Sequence, residues 1–146
     1  IAQALGGRVE KHKGGWAVGA QDYDFAGQTV TLNAWHQDQV VTAPEGAEVV
    51  ATSPFCANAA LLYGNRAYSV QAHPEFPDAF IDGLIEHRGG SVPEPLIEAA
   101  RARRGSADAR LVADRIQAFF PTPRARGPVP AAEADAGARP DRETAA

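Results

Sequence analysis

The spacing of apolar residues changes once along this chain, and the change falls at His73. From Arg8 onward, short extended runs alternate with turn residues: Arg8 to His12, Trp16 to Tyr23, Gln28 to Ala34, Ala47 to Thr52, Ala59 to Tyr63 and Ala67 to Ala72. Such runs read as strands, and the Gly64-Asn65 pair has the backbone freedom for a tight hairpin between the last two. Past His73 the period becomes about 3.6 residues. Phe76, Phe80 and Leu84 fall on one stripe with Ile81 and Ile85 beside it, and Pro77 fits the first turn of that helix. Ser91 to Glu94 has the form of a capping box before Leu96 and Ile97. Ser106 is expected to start a third helix whose Leu111, Val112, Ile116, Phe119 and Phe120 share a face. A region that is mostly sheet is thus followed by three closing helices.

The two ends read differently. Ile1-Ala-Gln-Ala-Leu5 before Gly6-Gly7 looks like the last turn of a helix with a glycine stop. A helix that ends without beginning, in a chain with no methionine, leads us to expect further polypeptide before Ile1. Beyond Pro121 the composition turns to Pro, Ala, Gly and charge, with Val129 the only large aliphatic residue. Such a segment buries too little surface to offset its ordering entropy, so residues 1–120 are expected to be the folded part and 121–146 a disordered tail. The net charge of −4 comes from 14 basic and 18 acidic side chains mixed along the chain, without the basic stripe that would hold a phosphate backbone. Nucleic acid is not an expected partner. No apolar run approaches the roughly 20 residues needed to cross a bilayer, and Ile1 to Gly7 is too short for a secretory signal. A cytoplasmic protein is expected, which the lone Cys56, unable to form an internal disulfide, suits.

Chemistry concentrates where the last strand meets the first helix, in Gln71-Ala-His73-Pro74-Glu75. In an extended chain residues two apart share a side, so His73 and Glu75 can project together from a strand end, with Pro74 fixing the backbone between them. A carboxylate beside an imidazole selects the ring tautomer and favours the imidazolium formed during proton transfer. That is the base-and-orienter half of a nucleophile, base and acid triad. A His-Pro-Glu triplet by itself is also compatible with an ordinary surface turn.

Two further stretches supply context. Ala2-Gln-Ala-Leu-Gly6-Gly7-Arg-Val9 is similar to the segment that follows the nucleophile helix of class I glutamine amidotransferases. Trp35-His36-Gln37-Asp38-Gln39-Val40 with Pro44-Glu45-Gly46 resembles their His-x-Asp-x-Val loop and the turn after it. Together with Gln71-x-His-Pro-Glu these motifs stand in the family's order, and the resemblance covers Ile1 to roughly His87. It implies the carboxyl-terminal part of a three-layer α/β, flavodoxin-like domain: a mixed and mostly parallel sheet, incomplete here, with an antiparallel excursion and C-terminal helices. It implies glutamine hydrolysis through a cysteine thioester, with His73 as acid and base and Glu75 as its orienter. The cysteine and the oxyanion donors would precede Ile1, and this stretch alone would be inactive. It also implies that main chain around Gln37 and Asp38 meets the amino-acid head of glutamine; the residues alone fit equally a turn in which Asp38 caps local amides. Because no phosphate-binding glycine loop occurs here to activate an acceptor, a stand-alone glutaminase or one that depends on an ammonia-accepting synthase partner is expected over a fused synthase. No cofactor is expected.

The remaining candidates read as structural. Cys56 has no Gly-x-Cys-x-Gly elbow and no helix start to lower its pKa, and is expected to be a small buried residue. Trp16 and Trp35 are expected to pack. His12, His36, His73 and His87 lack ligand spacing, so no metal site is expected. Two other functions fit the same fold: a γ-glutamyl hydrolase, and a regulatory binding protein without a nucleophile.

Overall fold

The computed structural model describes residues 1–104 and 108–120. Gly6, at φ 89°, takes the left-handed conformation that ends the short 3-10 turn Gln3–Leu5, in agreement with the glycine stop expected there. Seven strands follow: β1 (Arg8–Lys11), β2 (Ala17–Phe25), β3 (Gln28–His36), β4 (Asp38–Thr42), β5 (Glu48–Ala51), β6 (Ala60–Tyr63) and β7 (Ala67–Val70). Then come α1 (Asp78–Arg88), a 3-10 turn at Gly89–Ser91, α2 (Glu94–Ala102) and α3 (Ala109–Phe119).

β2 and β3 pair along their whole length, from Ala17 opposite His36 to Phe25 opposite Gln28. This hairpin is the middle of the fold, because both of its faces are covered. Tyr23, Phe25, Val30 and Leu32 point to one side, where they meet Ala51, Cys56, Ala60 and Val112 of α3. Val18 and Trp35 point to the other, against Ile81 and Ile85 of α1 and Ile97 and Ala100 of α2. The result is helix, sheet, helix. Gly19 permits the closest approach: a Cβ there would lie 2.5 Å from that of Ala100, and its φ of 69° suits only glycine. Two bridging bonds between Asp24 and Thr52 join the hairpin to the three-stranded β5-β6-β7 sheet. The N-terminal turn packs through Ala2 on Leu61 and Tyr63 of β6.

All the ladders among the described residues are antiparallel, so this part of the α/β domain holds the antiparallel excursion and no parallel pair. The hairpin expected at Gly64-Asn65 joins β6 to β7. Several expectations are corrected. The stretch from His36 to Val40 is not a loop: His36 ends β3 and Asp38 opens β4, which pairs with β1. β1 falls within the run expected at Arg8 to His12, whereas β4 gives no strand signal because Asp38, Val41 and Thr42 are exposed and the alternation of a half-buried strand is weak. No capping box forms at Ser91, which lies in the 3-10 turn; Pro93 holds the cap position of α2 without a side-chain bond. Pro95 in the first turn has no N–H to satisfy, which removes part of the need for a cap. On α1 the buried residues are Ile81 and Ile85, while Phe80 is 48% exposed, so the centre of the apolar stripe sits one residue later than expected. Phe120 lies past the end of α3 and is exposed, unlike Val112 and Phe119. The expected helix start at Ser106 and the expected tail at 121–146 fall outside the described residues. Among the described residues no helix is long and apolar enough to cross a membrane.

Candidate active site

His73 is reached through a short connector that leaves β7 at Val70. Gln71 N–H donates to the Ala59 carbonyl at 2.8 Å, and His73 N–H donates to the Asn33 carbonyl, also at 2.8 Å. The chain therefore runs from one sheet onto β3 before it turns. Phe76 N–H then donates to the His73 carbonyl at 3.1 Å, closing a turn around Pro74 and Glu75. Nδ1 of His73 lies 2.8 Å from Oε1 of Glu75. The pairing expected from the sequence is present, but a turn makes it and not the two-residue period of a strand. Phe76 stacks on the imidazole, and Pro77 caps α1, which carries the chain away.

With Nδ1 turned to the carboxylate, Nε2 is the ring atom left to give or take a proton. The imidazole is about a third exposed and the carboxylate about two thirds, so the pair sits at a surface that further atoms can approach.

Asn33 is the residue that sequence reasoning passed over. It is 2% exposed, and its Nδ2 donates at 3.0 Å to both the Phe76 carbonyl and Asp78 Oδ1. Its one visible signal was a polar residue amid the apolar run Val30 to Trp35, where an unbonded amide would be costly.

Gln37 and Asp38 stand at the β3–β4 junction. The Gln37 carbonyl accepts from His12 N–H at 2.8 Å, and Asp38 is paired with Lys11 across the β1–β4 ladder, its side chain exposed. Side chains brace Val40, two residues on from Asp38, on both sides: Val40 N–H donates to Gln71 Oε1 at 3.2 Å, and Asn58 Nδ2 donates to the Val40 carbonyl at 2.8 Å. His36, one residue before Gln37, has both ring nitrogens buried and without a hydrogen-bond partner among the described residues. Burial holds its pKa below the ordinary 6.5, and positive charge on His73 or His12 pushes the same way. Main chain and carboxylate of Asp38 oppose that shift, the former from close by but outside hydrogen-bond geometry. Phe55 lies between two of these imidazoles, 4.2 Å from His12 and 6.5 Å from His36, centroid to centroid.

Cys56 is buried at 1% exposure, with its thiol pushed up to about 11 by burial. Its N–H donates to Ser53 Oγ at 2.9 Å. Trp16 and Trp35 pack together with ring centroids 6.2 Å apart. Among the described residues no group of three His, Cys, Asp or Glu side chains is disposed to hold a metal ion. An open hollow of about 480 Å³, lined by Asp22, Asp24, Thr29 and Thr52 among others, lies at the turn end of the β2–β3 hairpin and includes neither His73 nor Glu75.

No family model matches the chain. Over 89 residues it is 36% identical to one subunit of the glutamine-hydrolysing GMP synthase of Methanospirillum hungatei, covering 55% of this chain and 47% of that protein. Over 131 residues it is 24% identical to a putative glutamine amidotransferase-like protein of Schizosaccharomyces pombe, covering 82% of this chain and 53% of the relative. The chain thus spans about half the length of these relatives. A glutamine amidotransferase structure from Methylobacillus flagellatus superimposes with a TM-score of 0.66 at 20% identity, covering 86% of this chain and 60% of that one. One from Thermotoga maritima does so at 0.62 and 22%, covering 83% and 58%.

Proposed function

We propose, from the premise that this chain has the glutamine amidotransferase fold and is homologous over part of its length to amidotransferase-like proteins and to one GMP synthase subunit, that the protein hydrolyses glutamine and delivers the ammonia to an acceptor. The observation that carries this is the 2.8 Å contact between His73 Nδ1 and Glu75 Oε1. A thiolate attacks the carboxamide carbon of glutamine; as the C–N bond breaks, His73 gives a proton to the departing ammonia and a γ-glutamyl thioester is left. His73 then takes a proton from the water that hydrolyses the thioester, and the thiol is restored. Glu75 accepts a hydrogen bond from Nδ1–H throughout and stays ionised, so that Nε2 faces the reaction.

The thiol belongs to polypeptide preceding Ile1 in this proposal. Cys56 is the only cysteine in the sequence, and burial keeps it protonated near neutral pH. Main chain at Gln37 and Asp38 is assigned to the amino-acid head of glutamine, a role supported by the bond from Val40 N–H to Gln71 Oε1, which ties this junction to the connector that carries His73. The acceptor is assigned to a synthase partner, in keeping with the relative that is itself one subunit of a synthase.

The test uses the full-length protein. Wild type is expected to release ammonia from free glutamine, and His73→Ala to abolish release while keeping the far-ultraviolet circular dichroism. Full turnover by His73→Ala would remove His73 as the base. Wild type that cleaves γ-glutamyl peptides but not glutamine would replace the amidotransferase by a hydrolase; wild type inert on both but able to bind glutamine would make it a binding protein.

A further inference from the structure

We infer that Asn33 is the positioning residue of the His73 turn, an inference that rests on the proposed role of His73. Asn33 stands on β3 next to Leu32 and Ala34, both fully buried, where a primary amide is stable only if its donors and acceptor are matched. Both donor hydrogens of that amide are matched, and the main-chain carbonyl of the same residue takes a third bond; every partner belongs to the turn or to the helix start behind it. The main-chain carbonyl of Asn33 takes the N–H of His73, the first residue of the turn, at 2.8 Å. Nδ2 gives one hydrogen to the carbonyl of Phe76, the last residue of the turn, and the other to Oδ1 of Asp78, the first residue of α1, both at 3.0 Å.

On a nine-residue strand, the Asn33 main chain therefore holds the start of the turn and its side-chain amide fastens the end of the turn to the helix start. Between those two points lie Pro74 and Glu75, and at the far point the Phe76 ring lies against the imidazole. Without the amide donor the Phe76 carbonyl is released from β3, the stacked ring can move with it, and the imidazole loses the surface that sets its plane. Asn33 does not reach the ring nitrogens. Its effect is transmitted through Phe76, so it should alter the rate of proton transfer and not the affinity for glutamine.

The experiment uses full-length protein carrying Asn33→Ala or Asn33→Asp. The first removes the side-chain donor; the second removes it at constant shape. Two quantities are read: the ¹⁵N shifts of the His73 ring, which report how the proton is divided between Nδ1 and Nε2, and kcat and KM for glutamine. In a folded variant the ring is expected to pass from the Nδ1–H form to a mixture of tautomers, with kcat down about tenfold or more and KM within about twofold, as for misplacement of a catalytic group. Unchanged ring shifts in a folded variant overturn the inference whatever the activity. Loss of folding by both variants also overturns it, since Asn33 would then serve the core as a whole. A shifted tautomer in a protein whose wild type releases no ammonia upholds Asn33 as the positioning residue and removes the glutaminase proposal instead.

Discussion

The imidazole of His73 and the phenyl ring of Phe76 lie face to face, with centroids 4.0 Å apart and planes within 4°. Phe76 is itself held by Phe80, 4.4 Å away and tilted by 43°. A flat ring restricts rotation of the imidazole in a way that a branched aliphatic side chain does not. Phe76→Leu keeps most of the apolar volume and should keep stability to within about 1.5 kcal/mol. An aromatic pair contributes about 0.5–1.5 kcal/mol beyond the area it buries, which corresponds to a two- to tenfold fall in kcat for glutamine. Steady-state kinetics of the full-length variant check this, with urea unfolding to separate stability from rate.

Cys56 should be inert. Burial lifts its pKa from 9.0 to about 11, so at pH 8 only about one thiol in a thousand is ionised. A thiol reagent added to folded protein at pH 8 should leave Cys56 unmodified, and Cys56→Ala should leave turnover intact. The raised value also fixes a slope. Above pH 9 the unfolded chain gives up the Cys56 proton and the folded one keeps it, so stability falls as pH rises from 9 toward 11. Burial of the Tyr23 hydroxyl acts in the same direction at higher pH. Denaturant midpoints across that range, compared for wild type and Cys56→Ala, should show the smaller fall in the variant.

Much of this architecture is legible in the sequence because buried strands and amphipathic helices carry their period openly. β2 and β3 were visible through Val18, Tyr23, Val30 and Leu32, and α1 through Ile81 and Ile85. What escaped lies where tertiary contacts replace local pattern. β4 is a strand because β1 pairs with it, although its exposed residues give no clean alternation. The start of α2 is set by Pro93 and Pro95 and not by Ser91. At the site, the residues His73 and Glu75 were readable as a pair, but the turn that joins them and the Asn33 amide 40 residues upstream that fastens it were not. No rule of spacing connects a polar residue in one strand to a turn that follows another.

His36 makes the acid side of the stability profile steep. Its folded pKa is held below 6.5, chiefly by burial, so below pH 6.5 the unfolded chain binds a proton that the folded one refuses. Stability should fall as pH drops below 6.5, down to the folded value. His36→Asn, which does not titrate, should flatten this part of the profile. Chemical unfolding at pH 5, 6 and 7 checks it: a variant whose midpoint drops as far as wild type would remove His36 as the cause.

The β2–β3 turn is strained at Ala26. Its φ of 55° places a residue with a Cβ in the left-handed region, next to Gly27 at 88°. Two consecutive positive φ angles are what a two-residue hairpin turn needs to match strand twist, and Asn-Gly is the pair that meets them most readily. The left-handed conformation costs an ordinary L residue roughly 1–2 kcal/mol, and Asn recovers part of that through local hydrogen bonding. The turn is already braced, because Asp24 Oδ1 accepts the Gly27 N–H and Phe25 stays paired with Gln28. Ala26→Asn should therefore stabilise the protein by about 0.5–1 kcal/mol without altering catalysis. Ala26→Gly should gain less, since glycine relieves the strain but adds freedom to the unfolded chain. The order Asn, Gly, Ala in melting temperature is the outcome to look for, and a variant with Asn no more stable than wild type would mean that contacts elsewhere hold the hairpin in register.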